Sequence, residues 1–233
     1  MITFDPPLLK GKLIKRYKRF LADIELDGGE IITAHCPNSG SMKGLKEANF
    51  PALVQDAQNP NRKLKYTFKM VQSEGAWVGV DTGIPNTLVA QAIEQQKVPE
   101  LSGYDFLKRE VKYGKNSRID ILLKSEGKSD CYVEVKNVTL KEGNAALFPD
   151  AVTTRGQKHL GELITMVSEG HRAVMFYLIQ RGDCDFFSTA ADIDPEYAGL
   201  LKKAVQAGVE ILCYDCILTP NHIHLNRKID VRL

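Results

Sequence analysis

The stretch from Ser117 to Lys136 constrains this chain more than any other, because it sets charged side chains inside segments of strand character. In residues 118–123, Arg-Ile-Asp-Ile-Leu-Leu, alternation puts Arg118, Asp120 and Leu122 on one face of a strand. In residues 131–137, Cys-Tyr-Val-Glu-Val-Lys-Asn, Glu134 and Lys136 share a face. The gap at 124–130 is rich in turn formers, so a hairpin through it brings an Asp, a Glu and a Lys together at one edge of a sheet. Two acidic side chains are what Mg²⁺ or Mn²⁺ needs from a protein when the substrate is a phosphodiester. A nearby Lys can hold the attacking water or steady the charge that develops on phosphate.

Glu-x-Lys as a string is weak, since it also occurs at Glu110–Lys112 and Glu126–Lys128. Context separates the three. Glu126 lies in Ser-Glu-Gly-Lys-Ser, a turn composition. Glu134 alone is set among Val133, Val135 and Val138, with an Asp on a strand-like segment before it. The plainer reading makes Asp120, Glu134 and Lys136 cross-strand pairs on the polar face of a hairpin. Glu110, on a strand at 105–113, is the better third carboxylate for a metal, because an adjacent strand places it near Asp120. Glu94 falls on the polar side of its helix and carries little weight.

Residues 153–168 read as a helix entered through Thr153 or Thr154, with Leu160, Leu163, Ile164 and Val167 as its sheet-packing stripe. Gln157 lies at the edge of that stripe and Lys158 projects away from it. The first turn offers Arg155, Gln157, Lys158 and His159 beside free backbone N–H groups, a setting suited to phosphate. Taken singly, Lys158 and His159 read as ordinary polar helix residues.

The first third reads as a small barrel of short strands, such as the OB-fold. Asp27-Gly-Gly-Glu30 is a hairpin signal. Lys10, Lys12, Lys15, Arg16, Lys18 and Arg19 run with no acid from Leu8 to Ala22, interleaved with Tyr17 and Phe20. Six basic residues without a counter-charge point to nucleic acid. A second basic strand is expected at 63–70, with Lys63, Lys65 and Lys69 on one face and Leu64, Tyr66, Phe68 and Met70 on the other. Phe20 and Phe68 are expected in the core. Loop 37–42 can present backbone N–H groups to phosphate but reads more simply as a turn. The boundary falls near residues 81–85, giving domains at 1–82 and 83–233. The second is an α/β (α+β) mixed sheet with strands at 105–113, 118–124, 131–138, 171–180 and 209–214. Its helices are expected at 86–97 (Asn86 as N-cap), 153–168 and 195–207.

A net charge of +2 requires any nucleic-acid affinity to come from local clustering. No apolar run is long enough for a membrane span, no secretory signal is visible, and five scattered cysteines fit a reduced cytoplasm. Cys213-Tyr-Asp-Cys216 has no second pair, and His222 with His224 lacks a third ligand, so both read as structural.

Several runs together resemble the bacterial sugar fermentation stimulation protein A family. They are Ser-Arg-Ile-Asp at 117–120, Glu-Val-Lys-Asn-Val-Thr-Leu at 134–140 and Phe-Pro-Asp-Ala-Val-Thr-Thr-Arg-Gly-Gln-Lys-His-Leu at 148–160. Residues 16–23, 35–42 and 101–104 extend the likeness over essentially the whole chain. The resemblance implies an OB-like N-terminal β-barrel and a PD-(D/E)xK restriction-endonuclease-like domain. It also implies DNA binding with little sequence preference and a link to maltose and other sugar metabolism. Two functions are therefore expected. One is a cytoplasmic DNA-binding protein contacting phosphates through Lys12, Lys15, Arg16, Lys18, Arg19, Lys63, Lys65, Arg155 and Lys158. The other is a Mg²⁺- or Mn²⁺-dependent nuclease, with Asp120, Glu134 and Glu110 on the metal, Lys136 on the water, and Gln157 or Arg155 on phosphate. A regulator built on a nuclease-like scaffold is a third.

Overall fold

The structure, a computed structural model, describes residues 1–114 and 117–233. The chain opens with a two-residue strand, β1 (Ile2–Thr3), and then builds the barrel from β2 (Leu9–Tyr17), β3 (Leu21–Leu26), β4 (Ile31–His35), β5 (Pro51–Asp56) and β6 (Tyr66–Ser73). Sheet order β4-β3-β2-β5-β6 closes on itself through a parallel β4–β6 pair, Ala34↔Tyr66 and His35↔Thr67. The 27–30 hairpin forms as read, with Gly29 at φ +83° and the Leu26 N–H donating to the Glu30 carbonyl. A further strand, β7 (Ala76–Gly79), returns from β6 through Glu74 and Gly75, both at positive φ, the geometry that matches strand twist in a tight hairpin. Leu13, Ile24, Val54, Phe68 and Val71 fill the barrel.

Two expectations are corrected here. Phe20 is 46% exposed, because Lys18 and Arg19 take left-handed φ and put Phe20 in the turn between β2 and β3. The second basic strand starts only at Tyr66, so Lys63 and Lys65 precede it. A bulge between Leu53↔Met70 and Val54↔Phe68 then turns Phe68 into the barrel and Met70 out of it.

The second domain continues with helix α1 (Ile84–Glu94), then β8 (Phe106–Tyr113), β9 (Ser117–Lys124), β10 (Cys131–Val138), β11 (Leu140–Glu142) and β12 (Ala145–Phe148). Helix α2 (Thr154–Ser168), β13 (Arg172–Ile179), β14 (Phe186–Thr189), α3 (Pro195–Gln206), β15 (Glu210–Leu218), β16 (His222–Lys228) and β17 (Asp230–Val231) complete it. The larger sheet has the order β1-β16-β15-β13-β10-β9-β8, with β10, β13 and β15 parallel. A smaller sheet, β11-β12-β14-β17, escaped the sequence reading. Asn86 is not the N-cap of α1: Gly83 is, and Pro85 occupies the first turn, where its missing N–H costs nothing. That leaves the Asn86 side chain inside the helix and available to the sheet.

Strand β13 shows how the larger sheet is covered on both faces. Val174, Phe176 and Leu178 pack under α1, and Met175, Tyr177 and Ile179 pack under α2 and α3. The α1 cluster also takes in Leu53 and Met70 from the outside of the barrel. Polar ties reinforce that seam: Gly79 N–H to the Gln180 carbonyl at 2.8 Å, Lys43 to Glu142 at 2.8 Å, and Lys141 to Glu74 at 2.5 Å. A shared apolar cluster makes barrel and sheet melt together. Calorimetry should show one transition, and Phe68→Ala should lower the whole of it by about 3–5 kcal/mol rather than split off a barrel transition.

Candidate metal and nucleic-acid site

The β9–β10 ladder runs Cys131↔Leu123, Tyr132↔Leu122 and Val133↔Ile121, and then stops. The next pair in that register is Glu134 opposite Asp120. Here the Asp120 side chain takes the place of a strand: its Oδ2 accepts the Val135 N–H at 2.7 Å, and its Oδ1 accepts the Asn86 amide at 2.6 Å. The opened ladder thus holds a carboxylate that was expected on the hairpin edge, and α1 steadies it. Burial first, and the Glu134 charge second, push the Asp120 carboxyl up to about 6.

Glu134 is buried, 2% exposed, on the α2 face of β10. Lys136, two residues on, donates to its Oε1 at 2.7 Å and lies 3.0 Å from His159 Nδ1. The same Oε1 is in close contact with His159 Nδ1. Burial alone would raise the Glu134 carboxyl; the Lys136 ammonium and His159 outweigh it and hold the group below its usual range. Its other oxygen, Oε2, is buried without a hydrogen-bond partner. Two neighbouring carboxylates are therefore driven in opposite directions, a pattern characteristic of working sites.

Helix α2 delivers His159, which the sequence reading set aside. The helix is capped by Thr153, whose Oγ1 accepts the Gly156 N–H. Its buried face is Gly156, His159, Leu160, Leu163 and Met166, while Ile164 and Val167 of the expected stripe are only half-buried. His159 precedes Leu163 by four residues, so it shared the apolar face; that spacing was the signal available. Gln157 does not join Glu134 and Lys136. Its amide donates to both oxygens of Asp194, the α3 N-cap, at 3.0 and 3.2 Å.

Glu110 stands opposite Asp120 in the β8–β9 register, between Arg109↔Ile121 and Val111↔Ile119, so Glu110, Asp120 and Glu134 form a row across three strands. It is exposed, at φ +55°, and lines a cleft of about 760 Å³ with Arg118, Arg155, Lys158 and His159. As the side chains stand, no three His, Cys, Asp or Glu groups among the described residues converge tightly enough to hold an ion.

The expected DNA-contacting residues divide. Arg16 turns inward, its Nη2 donating to the carbonyls of Arg19, Asn38 and Gly40 at 2.8–2.9 Å. Lys15 meets Asp23 at 3.6 Å and Lys65 meets Asp56 at 3.3 Å. The run was free of acids in sequence, but the paired strand supplies one. Lys12, Lys18 and Lys63 are exposed. Arg155 and Lys158 line the cleft with His159, Arg19 and Arg155 line a second cavity with Lys136, and Lys158 also pairs with Glu162 at 3.6 Å.

Comparison with known proteins finds matches to two parts of the chain. Residues 14–80 match the family model described as SfsA N-terminal OB domain, and residues 83–222 match the sugar fermentation stimulation protein RE domain. The chain belongs to the sugar fermentation stimulation protein family. Curated relatives include the sugar fermentation stimulation protein homolog of Geotalea uraniireducens, 56% identical over 97% of this chain and 98% of the relative. The homolog of Paramagnetospirillum magneticum is 53% identical over 100% of this chain and 98% of its own. A solved structure of Pyrococcus furiosus SfsA, in complex with Ca²⁺, superposes with a TM-score of 0.89 at 28% identity. That match covers 100% of this chain and 98% of the other. The OB barrel and the restriction-endonuclease-like mixed sheet are therefore the family's architecture.

Proposed function

We propose that this chain is a divalent-metal-dependent nuclease that holds DNA through its phosphates. The observation that carries this reading is the opened ladder, where Asp120 faces Glu134 and Lys136 lies on the Glu134 carboxylate. A hard cation fits these residues. They offer carboxylate oxygens, one of them buried and unpartnered, and the Asp120 carboxyl is raised by burial first and by the Glu134 charge second, both of which a bound cation would offset. Asp120 and Glu134 would hold the ion, with Glu110 able to approach from the cleft; the Ca²⁺ of the Pyrococcus relative is consistent with a hard-cation site. Such an ion, Mg²⁺ or Mn²⁺, supplies charge neutralisation on the phosphate and a more acidic water.

The chain's own residues do the rest. Asn86 and the Val135 N–H fix the Asp120 carboxylate. The Lys136 ammonium holds the water that attacks phosphorus and steadies the developing negative charge. His159 keeps Glu134 oriented on that ammonium, and Arg155, at the mouth of the cleft, receives the phosphate. Hydrolysis forms one P–O bond to water and breaks the ester P–O bond, and the water's proton goes to solvent or the leaving oxygen.

Supercoiled plasmid and labelled single strands incubated with Mg²⁺, Mn²⁺ or EDTA test the reading. Cutting that needs metal and is lost in Asp120→Asn supports it; cutting unaffected by EDTA overturns it. Glu110→Gln separates a metal role from a structural one. Being exposed, it should leave stability within about 0.5 kcal/mol, yet weaken Mn²⁺ dependence several-fold.

A second reading is a cytoplasmic DNA-binding protein of low sequence preference, acting in sugar metabolism without turnover. The specific observation favouring it is that Lys136 and His159 already close on Glu134 Oε1. A salt-sensitive gel shift with intact DNA in every metal would select it.

A further inference from the structure

A second cavity, of about 420 Å³, lies between the barrel and the nuclease-like domain and has Lys136 in its lining. Metal and phosphate binding alone do not account for it. Its barrel wall is the 38–40 loop, which is held from two sides. Arg16 ties the carbonyls of Asn38 and Gly40. Across the seam, Asp150 Oδ2 accepts the Met42 N–H at 2.9 Å, and the Ser41 hydroxyl donates to the Asp150 carbonyl at 2.7 Å. Gly40 permits the approach, since a Cβ there would stand 2.7 Å from Asp150 Oδ2. The cavity is thus preformed.

Its lining is mixed. Phe148, Pro149 and Val152, the last 67% exposed, supply apolar surface, and polar groups such as Asn38, Asn137 and Thr139 lie among them. Arg19, Lys136 and Arg155 supply three cationic side chains. The one acid that lines it, Asp150, is engaged by the 41–42 backbone and hydroxyl. Apolar surface together with cationic side chains matches a nucleotide, whose base stacks and whose phosphate carries charge. The volume lies within the range that holds one small molecule, enough for a nucleoside unit, and a base can enter such a recess only when it is not stacked and paired within a duplex. Arg155 also lines the larger cleft, so the two cavities meet at one side chain.

Resting on the nuclease reading above, we infer that the interdomain cavity seats an unpaired base. The substrate is then single-stranded nucleic acid or an unpaired stretch within a duplex. The strand runs from the larger cleft past Arg155, puts a phosphate at Lys136 and lays the adjoining base against Phe148, Pro149 and Val152.

The test is fluorescence anisotropy of a labelled oligo-dT strand and of a hairpin duplex, both in EDTA and in Ca²⁺, with wild type, Val152→Glu and Arg19→Glu. Wild type should bind the single strand about tenfold tighter than the duplex, and Val152→Glu should remove that preference. Val152 is exposed, so an unchanged melting temperature will separate lost binding from lost folding. Equal affinity for both probes, or equal loss of both in Val152→Glu, overturns the inference. Cleavage in Mn²⁺ separates it from the nuclease reading. Cutting of duplex alone leaves the nuclease and removes the unpaired-base site. A single-strand preference abolished by Val152→Glu, with no cutting of any substrate, keeps the site and removes the nuclease.

Discussion

If the proposed nuclease reading holds, Asp120→Asn should lower metal-dependent cleavage about a thousandfold, because it removes a charge that would hold the ion on which several kcal/mol of transition-state stabilisation would depend. The same change should make the metal-free protein more stable near neutral pH. The Asp120 carboxyl sits at about 6, above its ordinary 3.8, so the folded state resists its ionisation. For a raised acid the penalty is absent below the unfolded value, grows as pH rises between the two values and is full above the folded one. In EDTA above about pH 7 the variant should gain roughly 2–3 kcal/mol, and below about pH 4 the gain should vanish. The introduced amide can accept the Val135 N–H with its oxygen while Asn86 turns its own amide to match. Urea melts across that pH range check it, and a variant no more stable than wild type at neutral pH would sink the account.

Asp194→Ala should cost about 2–4 kcal/mol, as loss of an N-cap together with further hydrogen bonds to a buried carboxylate does. Asp194 is 1% exposed and caps α3 through the Tyr197 N–H; it also accepts the Thr153 N–H at the start of α2 and the Gln157 amide. One side chain therefore fixes two helix starts, one of which carries Arg155 and His159. Burial alone would raise its carboxyl, but the Thr153 and Tyr197 N–H groups and Gln157 overcome this and hold it low. A depressed acid stabilises above its unfolded value, and that contribution fades as pH falls through the folded one. The gap between wild type and Asp194→Asn should accordingly narrow below about pH 4 in denaturant melts. A gap that is constant with pH would assign the effect to packing.

The charged row was legible because Asp120, Glu134 and Lys136 interrupt segments whose β-branched neighbours leave little choice of secondary structure. Helix α2 was legible from Thr153 and its apolar spacing. What alternation does not encode is where a ladder stops. That Asp120 replaces a strand bond to Val135 depends on Asn86, thirty-four residues away. The inward turn of Arg16 is not legible, because a run of basic residues reads as free charge, and two of the carbonyls it donates to come from a loop after the next two strands. Gln157 was assigned to phosphate because its partner, Asp194, lies on α3. The smaller sheet was missed because Leu140–Glu142 and Ala145–Phe148 are too short to show a period.

Strand β1 has a consequence for how the chain folds during synthesis. Ile2 and Thr3 pair with Ile223 and His222, and the Phe4 N–H donates to the Asn221 carbonyl. Residues 2–4 therefore reach their places only after residues 221–223, made much later in synthesis, have emerged. The barrel can gather on the ribosome from contacts close in sequence, but the outer edge of the larger sheet closes later than the barrel, by a contact of very long sequence separation. Until then β16 presents an unpaired strand edge, and that interval is when a nascent chain of this family is most exposed to pairing with a neighbour.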